Sequence, residues 1–201
     1  MEKVSYEKIR DRVNTGDIIL FSGKGGISAG IKWFTGSKWS HVGMALKLPG
    51  WDVILIWEST TLSKLKDMES GEERQGVQLV PLSERLEKYD GDACIRFLDK
   101  KITKKMHKKL ADLRQELKNR PYEENKIELI KSAYDGFLGD NEEDLSSLFC
   151  SELVAEAYQR IGLLPEDIPS NEYTPKDFSA KDEKLNLLKN AVLSEEVYVY
   201  N

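Results

Sequence analysis

The chain has 201 residues, 40% of them hydrophobic and 32% charged, with a formal net charge of -5. That length suits one domain with a sizeable core, and the acidic balance argues against nucleic acid as a partner. Two cysteines make neither a disulfide framework nor a four-thiolate metal site. No apolar run reaches the length of a membrane span. The first residues, from Met1 to Lys8, lack the apolar stretch of a signal peptide, so a cytoplasmic protein without stable membrane insertion is expected.

Residues 5–13 read as a short helix closed by Asn14-Thr15-Gly16, and Asp17-Ile18-Ile19-Leu20-Phe21 as a buried strand. The glycine-rich Ser22-Gly23-Lys24-Gly25-Gly26 that follows has no Gly-Lys-Ser/Thr closure, which excludes a phosphate-binding loop of that type. Residues 27–34 suit one or two helical turns. In residues 40–48 the side chains alternate: Val42, Met44, Leu46 and Leu48 on one face, His41, Gly43 and Ala45 on the other. Two very small residues beside a histidine leave room for another element to approach.

Pro49-Gly50 signals a turn, and residues 51–59 read as the returning strand. A hairpin centred between Pro49 and Gly50 sets His41 directly opposite Glu58, on one face, where a carboxylate can accept the imidazole N–H and fix its tautomer. A longer or odd-length loop would shift that register. Residues 60–75 read as a polar loop, 76–80 as a strand, 82–89 as a short helix and 92–98 as a further strand in which Cys94 is structural. Ile102, Met106, Leu110, Leu113 and Leu117 recur at helical spacing, so residues 103–119 form an amphipathic helix. His107 lies off that stripe among lysines, which leaves His41 as the candidate base.

Residues 127–138 read as another helix and 139–144 as an acidic loop. From Leu153 onward, Leu153, Val154, Ala157, Tyr158 and Ile161 share one helical face, and Gly162 stands where the helix should stop. Cys150 is therefore expected in the first turn, where unpaired N–H groups and the positive end of the dipole favour a thiolate and can bind an oxyanion. An irregular connector follows, with a turn of helix at 174–178 and a last strand at 197–200.

Taken together, Gly16-Asp17, Ser40-His41-Val42-Gly43-Met44, Glu58 and Phe149-Cys150-Ser151-Glu152-Leu153-Val154 resemble the circularly permuted branch of the NlpC/P60 superfamily, papain-like amidases of the YiiX/YebB type. Pro121-Tyr122 and Thr174-Pro175-Lys176-Asp177 resemble further elements of that pattern, and the likeness runs from about Thr15 to Phe178. It implies a single permuted domain over residues 1–201 with an α+β papain-like fold, an antiparallel sheet packed on a helix that carries the cysteine at its N-terminus. It also implies Cys150 as nucleophile, His41 as base and Glu58 as the third polar residue, with no metal or organic cofactor. Tyr122, Ser151 and Ser40 are candidates for the oxyanion or substrate contacts.

The expected chemistry is cysteine-dependent hydrolysis or transfer of an acyl group through a thioester, on an amide or ester of a peptide or lipid. Trp33, Phe34, Trp39 and Trp57 flank His41 in sequence and are candidates for an apolar acyl pocket or for core packing. The rival expectation is a non-catalytic peptide- or lipid-binding module on the same fold.

Overall fold

The apolar run at Ile18 becomes β2 (Ile18–Gly23), buried throughout and central in a seven-stranded sheet of order β1-β7-β6-β2-β3-β4-β5. The computed structural model describes residues 2–24, 37–48, 50–60, 65–118, 142–182 and 184–201, with backbone alone at 142–148. The other strands are β1 (Val4–Ser5), β3 (His41–Lys47), β4 (Ile54–Thr60), β5 (Gly76–Pro81), β6 (Gly91–Arg96) and β7 (Val197–Tyr200). Among the described residues the helices are α1 (Tyr6–Ile9), α2 (Leu82–Glu87), α3 (Lys104–Leu117) and α4 (Glu142–Arg160). The protein is thus a mixed α+β fold. The sheet departs from the purely antiparallel expectation, because β1 pairs with β7 in parallel. The helix expected over 5–13 is α1 followed by a 3-10 turn at Arg10–Arg12. The expected helix at 127–138 lies outside the described residues.

Strand alternation gives the sheet two apolar faces. Leu20, Val42, Met44, Leu46, Leu55 and Trp57 join one core with α3 and α4, while Ile19, Phe21, Ala45, Ile54, Ile56 and Val80 join a second with α1 and α2. α4 lies over β3 and β4 through Leu153, Val154, Ala157, Tyr158 and Ile161, all buried. It stops where its sequence says it should. Gly162 takes φ 71°, and its N–H and that of Leu163 bond back to Gln159 and Tyr158 at 2.8 and 2.9 Å, satisfying carbonyls that the helix end leaves unpaired.

The β3–β4 register differs from the symmetric hairpin. Met44 pairs with Trp57 and Lys47 with Ile54, so the ladder is shifted by two residues and Glu58 comes opposite Gly43. The cause is the connection. A turn closes from Trp51 N–H to Leu48 C=O at 3.2 Å, with Gly50 at φ 83°, but pairing resumes only at Ile54, so the loop is longer on the β4 side. A shift of two preserves the face of every side chain, whereas a shift of one would have reversed it.

The entry to β2 is held by Asp17. Its buried carboxylate accepts the N–H groups of Asn14 and Leu98, both at 2.8 Å, and the Tyr158 hydroxyl of α4 donates to the neighbouring Gly16 carbonyl. Asp17→Ala strands two backbone donors, so we expect about 2–4 kcal/mol of destabilisation in urea titrations. A loss below half a kcal/mol would contradict the anchoring role.

Candidate active site

Glu58 is a carboxylate with 0% exposure, which is tolerable only if its charge and lone pairs are met inside the protein. Two strands and a helix meet them. Gln78, its register partner on β5, donates Nε2–H to Oε1 at 2.8 Å. Arg85 of α2 places Nε 2.8 Å from Oε1 and 3.1 Å from Oε2. His41 of β3 places Nε2 2.6 Å from Oε2. Burial opposes ionisation of Glu58, yet the Arg85 charge, then the bonds and charge of His41 and Gln78, hold its pKa down at about 2.

His41 and Glu58 meet diagonally across the ladder, with Gly43 opposite the carboxylate. A Cβ on Gly43 would sit 2.6 and 2.7 Å from Ile56 side-chain carbons and 3.3 Å from Glu58 Cβ. Only a residue without a side chain lets β4 lie this close. The imidazole also packs beside the Phe21 ring, with centroids 5.6 Å apart.

Cys150 is the third member of the group, and its side chain hydrogen-bonds with the imidazole. With Nε2 committed to Glu58, Nδ1 is the ring nitrogen left for the thiol. Burial disfavours the imidazolium, but the charge of Cys150 and its hydrogen bond, followed by the bond and charge of Glu58, outweigh it and raise the His41 pKa to about 9. Cys150, His41 and Glu58, from three elements and far apart in sequence, thus form one buried cluster.

The setting of Cys150 differs from the first-turn expectation. α4 begins at Glu142, more than two turns before Cys150. Its N–H is therefore an interior helix donor committed to a carbonyl one turn back, not one of the unpaired terminal groups. The signal was in Glu142-Glu143-Asp144. Read as part of an acidic loop, these residues occupy the first helical turn, where acidic side chains suit the positive end of the dipole.

The proposed auxiliary donors fare differently. Ser151 is buried and donates Oγ–H to the Tyr173 carbonyl at 2.5 Å, tying α4 to the residue that closes the 3-10 turn Ser170–Glu172. Ser40 Oγ accepts from Gly23 N–H at 3.3 Å and faces the Phe21 carbonyl at 3.4 Å. Tyr122, with Pro121, lies outside the described residues, as do Trp33 and Phe34. Trp39 and Trp57 are core residues, and Trp39 also donates Nε1–H to Glu196 at 2.9 Å. Cys94 is buried in β6, and burial pushes its thiol pKa far up. His107 borders a cleft with Lys47 and Trp51, at the other end of β3 from His41.

Arg85 and Gln78 escaped the sequence reading. Neither belongs to a motif, and no local pattern says which buried carboxylate a helix arginine will reach. The one available signal was an arginine directly before Leu86, the last buried residue of the helix, in a segment whose apolar face had to meet the sheet.

Among the described residues, no group of three or more His, Cys, Asp or Glu side chains is placed to hold a metal ion. No family model matches the chain, and no curated protein matches it. Among solved structures, it is similar to metalloprotein yiiX from Escherichia coli O157:H7 (DUF1105), at 20% identity and a TM-score of 0.48, over 75% of this chain and 67% of that one.

Two outcomes are expected from this geometry. Gly43→Ala should cost about 1–3 kcal/mol, as overpacking does, measured by chemical denaturation. Stability should also follow the two shifted groups. Glu58, lowered to about 2 from 4.5, contributes stability above pH 4.5 that is lost as pH falls toward 2. His41, raised to about 9 from 6.5, contributes stability below pH 6.5 that is lost as pH rises through 9. Urea midpoints recorded against pH should fall on both sides of that window, with the acid limb flattened in Glu58→Gln and the alkaline limb in His41→Gln.

Proposed function

We propose that the chain is a cysteine-dependent acyl hydrolase or acyltransferase, a single papain-like domain of the permuted NlpC/P60 kind. The observation that carries the reading is the contiguous Cys150–His41–Glu58 cluster, in which the imidazole bridges a thiol and a buried carboxylate. The chain order, histidine strand before cysteine helix, agrees with the sequence resemblance.

In this mechanism His41 takes the Cys150 thiol proton at Nδ1 while Glu58 accepts the Nε2–H and stabilises the imidazolium. The thiolate attacks the carbonyl carbon of an amide or ester, and the tetrahedral intermediate collapses as the imidazolium gives its proton to the departing amine or alcohol. Water, or an acceptor amine or alcohol, then attacks the thioester, loses its proton to His41 and releases the acyl product, which restores the thiol. The backbone of α4 does not provide an oxyanion donor at Cys150, so that role falls to a group outside the helix, with Tyr122 the candidate. Cys150 is fully buried and His41 7% exposed, so turnover requires an opening above the sulfur.

That same burial favours the second reading, a non-catalytic peptide- or lipid-binding module in which the cluster serves packing alone. Alkylation by iodoacetamide separates the two. The catalytic reading expects Cys150 to alkylate faster than Cys94 near neutral pH, and His41→Ala to slow Cys150 by at least about tenfold while leaving Cys94 unchanged. Activated esters should then leave an acyl adduct on Cys150, detectable by mass spectrometry. Equal rates at both cysteines, indifferent to His41, would sink the enzyme reading.

A further inference from the structure

The geometry points to Arg85 as a positioning residue that supplies the balancing charge for the Cys150–His41 ion pair, an inference that rests on the catalytic reading above. Arg85, Glu58, His41 and Cys150 stand in contact order. Arg85 Nε lies 2.8 Å from one carboxylate oxygen and His41 Nε2 2.6 Å from the other. The imidazole in turn bonds to Cys150. Glu58 and Cys150 are 0% exposed, and His41 and Arg85 7% each, so solvent does little to screen these charges.

A guanidinium is always protonated, so Arg85 is +1 and Glu58 is -1. The thiolate–imidazolium form of Cys150 and His41 adds -1 and +1, and the four groups alternate in sign with a sum of zero. Without Arg85 the same form carries a net negative charge inside the protein, and the cluster relieves it by taking up a proton, which converts the thiolate to the unreactive thiol. Arg85 thus favours the nucleophilic form through Glu58 and His41.

Among the described residues, the other groups facing the row do not alter this sum. Gln78 of β5 is neutral and donates to Glu58. Tyr89, which follows α2 and borders Arg85, has its pKa raised to about 12, chiefly by burial, and is neutral across the range that matters. The Phe21 and Tyr89 rings lie 5.2 and 5.3 Å from the guanidinium and fix its place between α2 and the sheet.

The test separates charge from packing. In Arg85→Met the iodoacetamide rate at Cys150 near neutral pH should fall by roughly tenfold or more, with the pH profile displaced upward. Arg85→Lys keeps the positive charge beside Glu58 and should hold the rate to within about threefold of wild type. Arg85→Gln, a neutral donor of similar reach, is the second charge-free variant and should lose as much rate as Arg85→Met, which keeps the test decisive if the methionine variant does not fold. A wild-type rate in either neutral variant, or a folded Arg85→Lys as slow as they are, overturns the charge-balance role in favour of a packing role. His41→Ala serves as the separate control. If it leaves Cys150 alkylation unchanged, it is the catalytic reading that fails, whatever Arg85 does.

Discussion

A fully buried carboxylate is the constraint around which this protein is arranged. An ionised Glu58 with no partners would cost far more than any packing gain at its position could offset. The fold therefore brings Gln78, Arg85 and His41 to it from β5, α2 and β3. Each partner fixes one neighbouring element relative to β4, so the same contacts that make the charge tolerable define the spacing of β3, β4 and β5 and the seat of α2. The histidine is held by this arrangement rather than by its own strand.

The sheet separates two tasks. One face packs α3 and α4 in the larger core, and the other packs α1 and α2. Glu58 and Arg85 belong to the second side, whereas Cys150 arrives on α4 with the first. His41, the first residue of β3, stands at the strand end where the two sides meet, which lets one imidazole reach a carboxylate and a thiol. Gly43 contributes by omission. It permits the close approach of β4 that the short His41–Glu58 contact needs.

Cys150 draws nothing from a helix terminus in this arrangement. Its electrostatic surroundings come from His41 and, one and two contacts further away, from Glu58 and Arg85. An ion pair of this kind is sensitive to the charge count of the whole row, because burial leaves little dielectric screening between its members. On the proposed reading, the chemistry at the sulfur is tied to an arginine that acts through Glu58 and His41.

Much of this was legible in the chain itself. Alternation from Val42 to Leu48 and the apolar run from Ile18 define strands because a strand's side-chain period is two. The stripe from Ile102 to Leu117 defines α3 because a helix's period is 3.6, and Gly162 ends α4 because a positive φ suits a residue without Cβ. His41, Glu58 and Cys150 stood out by residue type and motif. Only the tertiary structure decided how they meet. The β3–β4 register depended on how many residues the 48–53 connection leaves unpaired, and the start of α4 on whether an acidic segment continues a helix or precedes it. The partners of Glu58 depended on long-range packing of α2 against the sheet. Local periodicity specifies elements and faces, but which buried charge meets which donor is set by contacts between residues distant in sequence, and no local pattern encodes those.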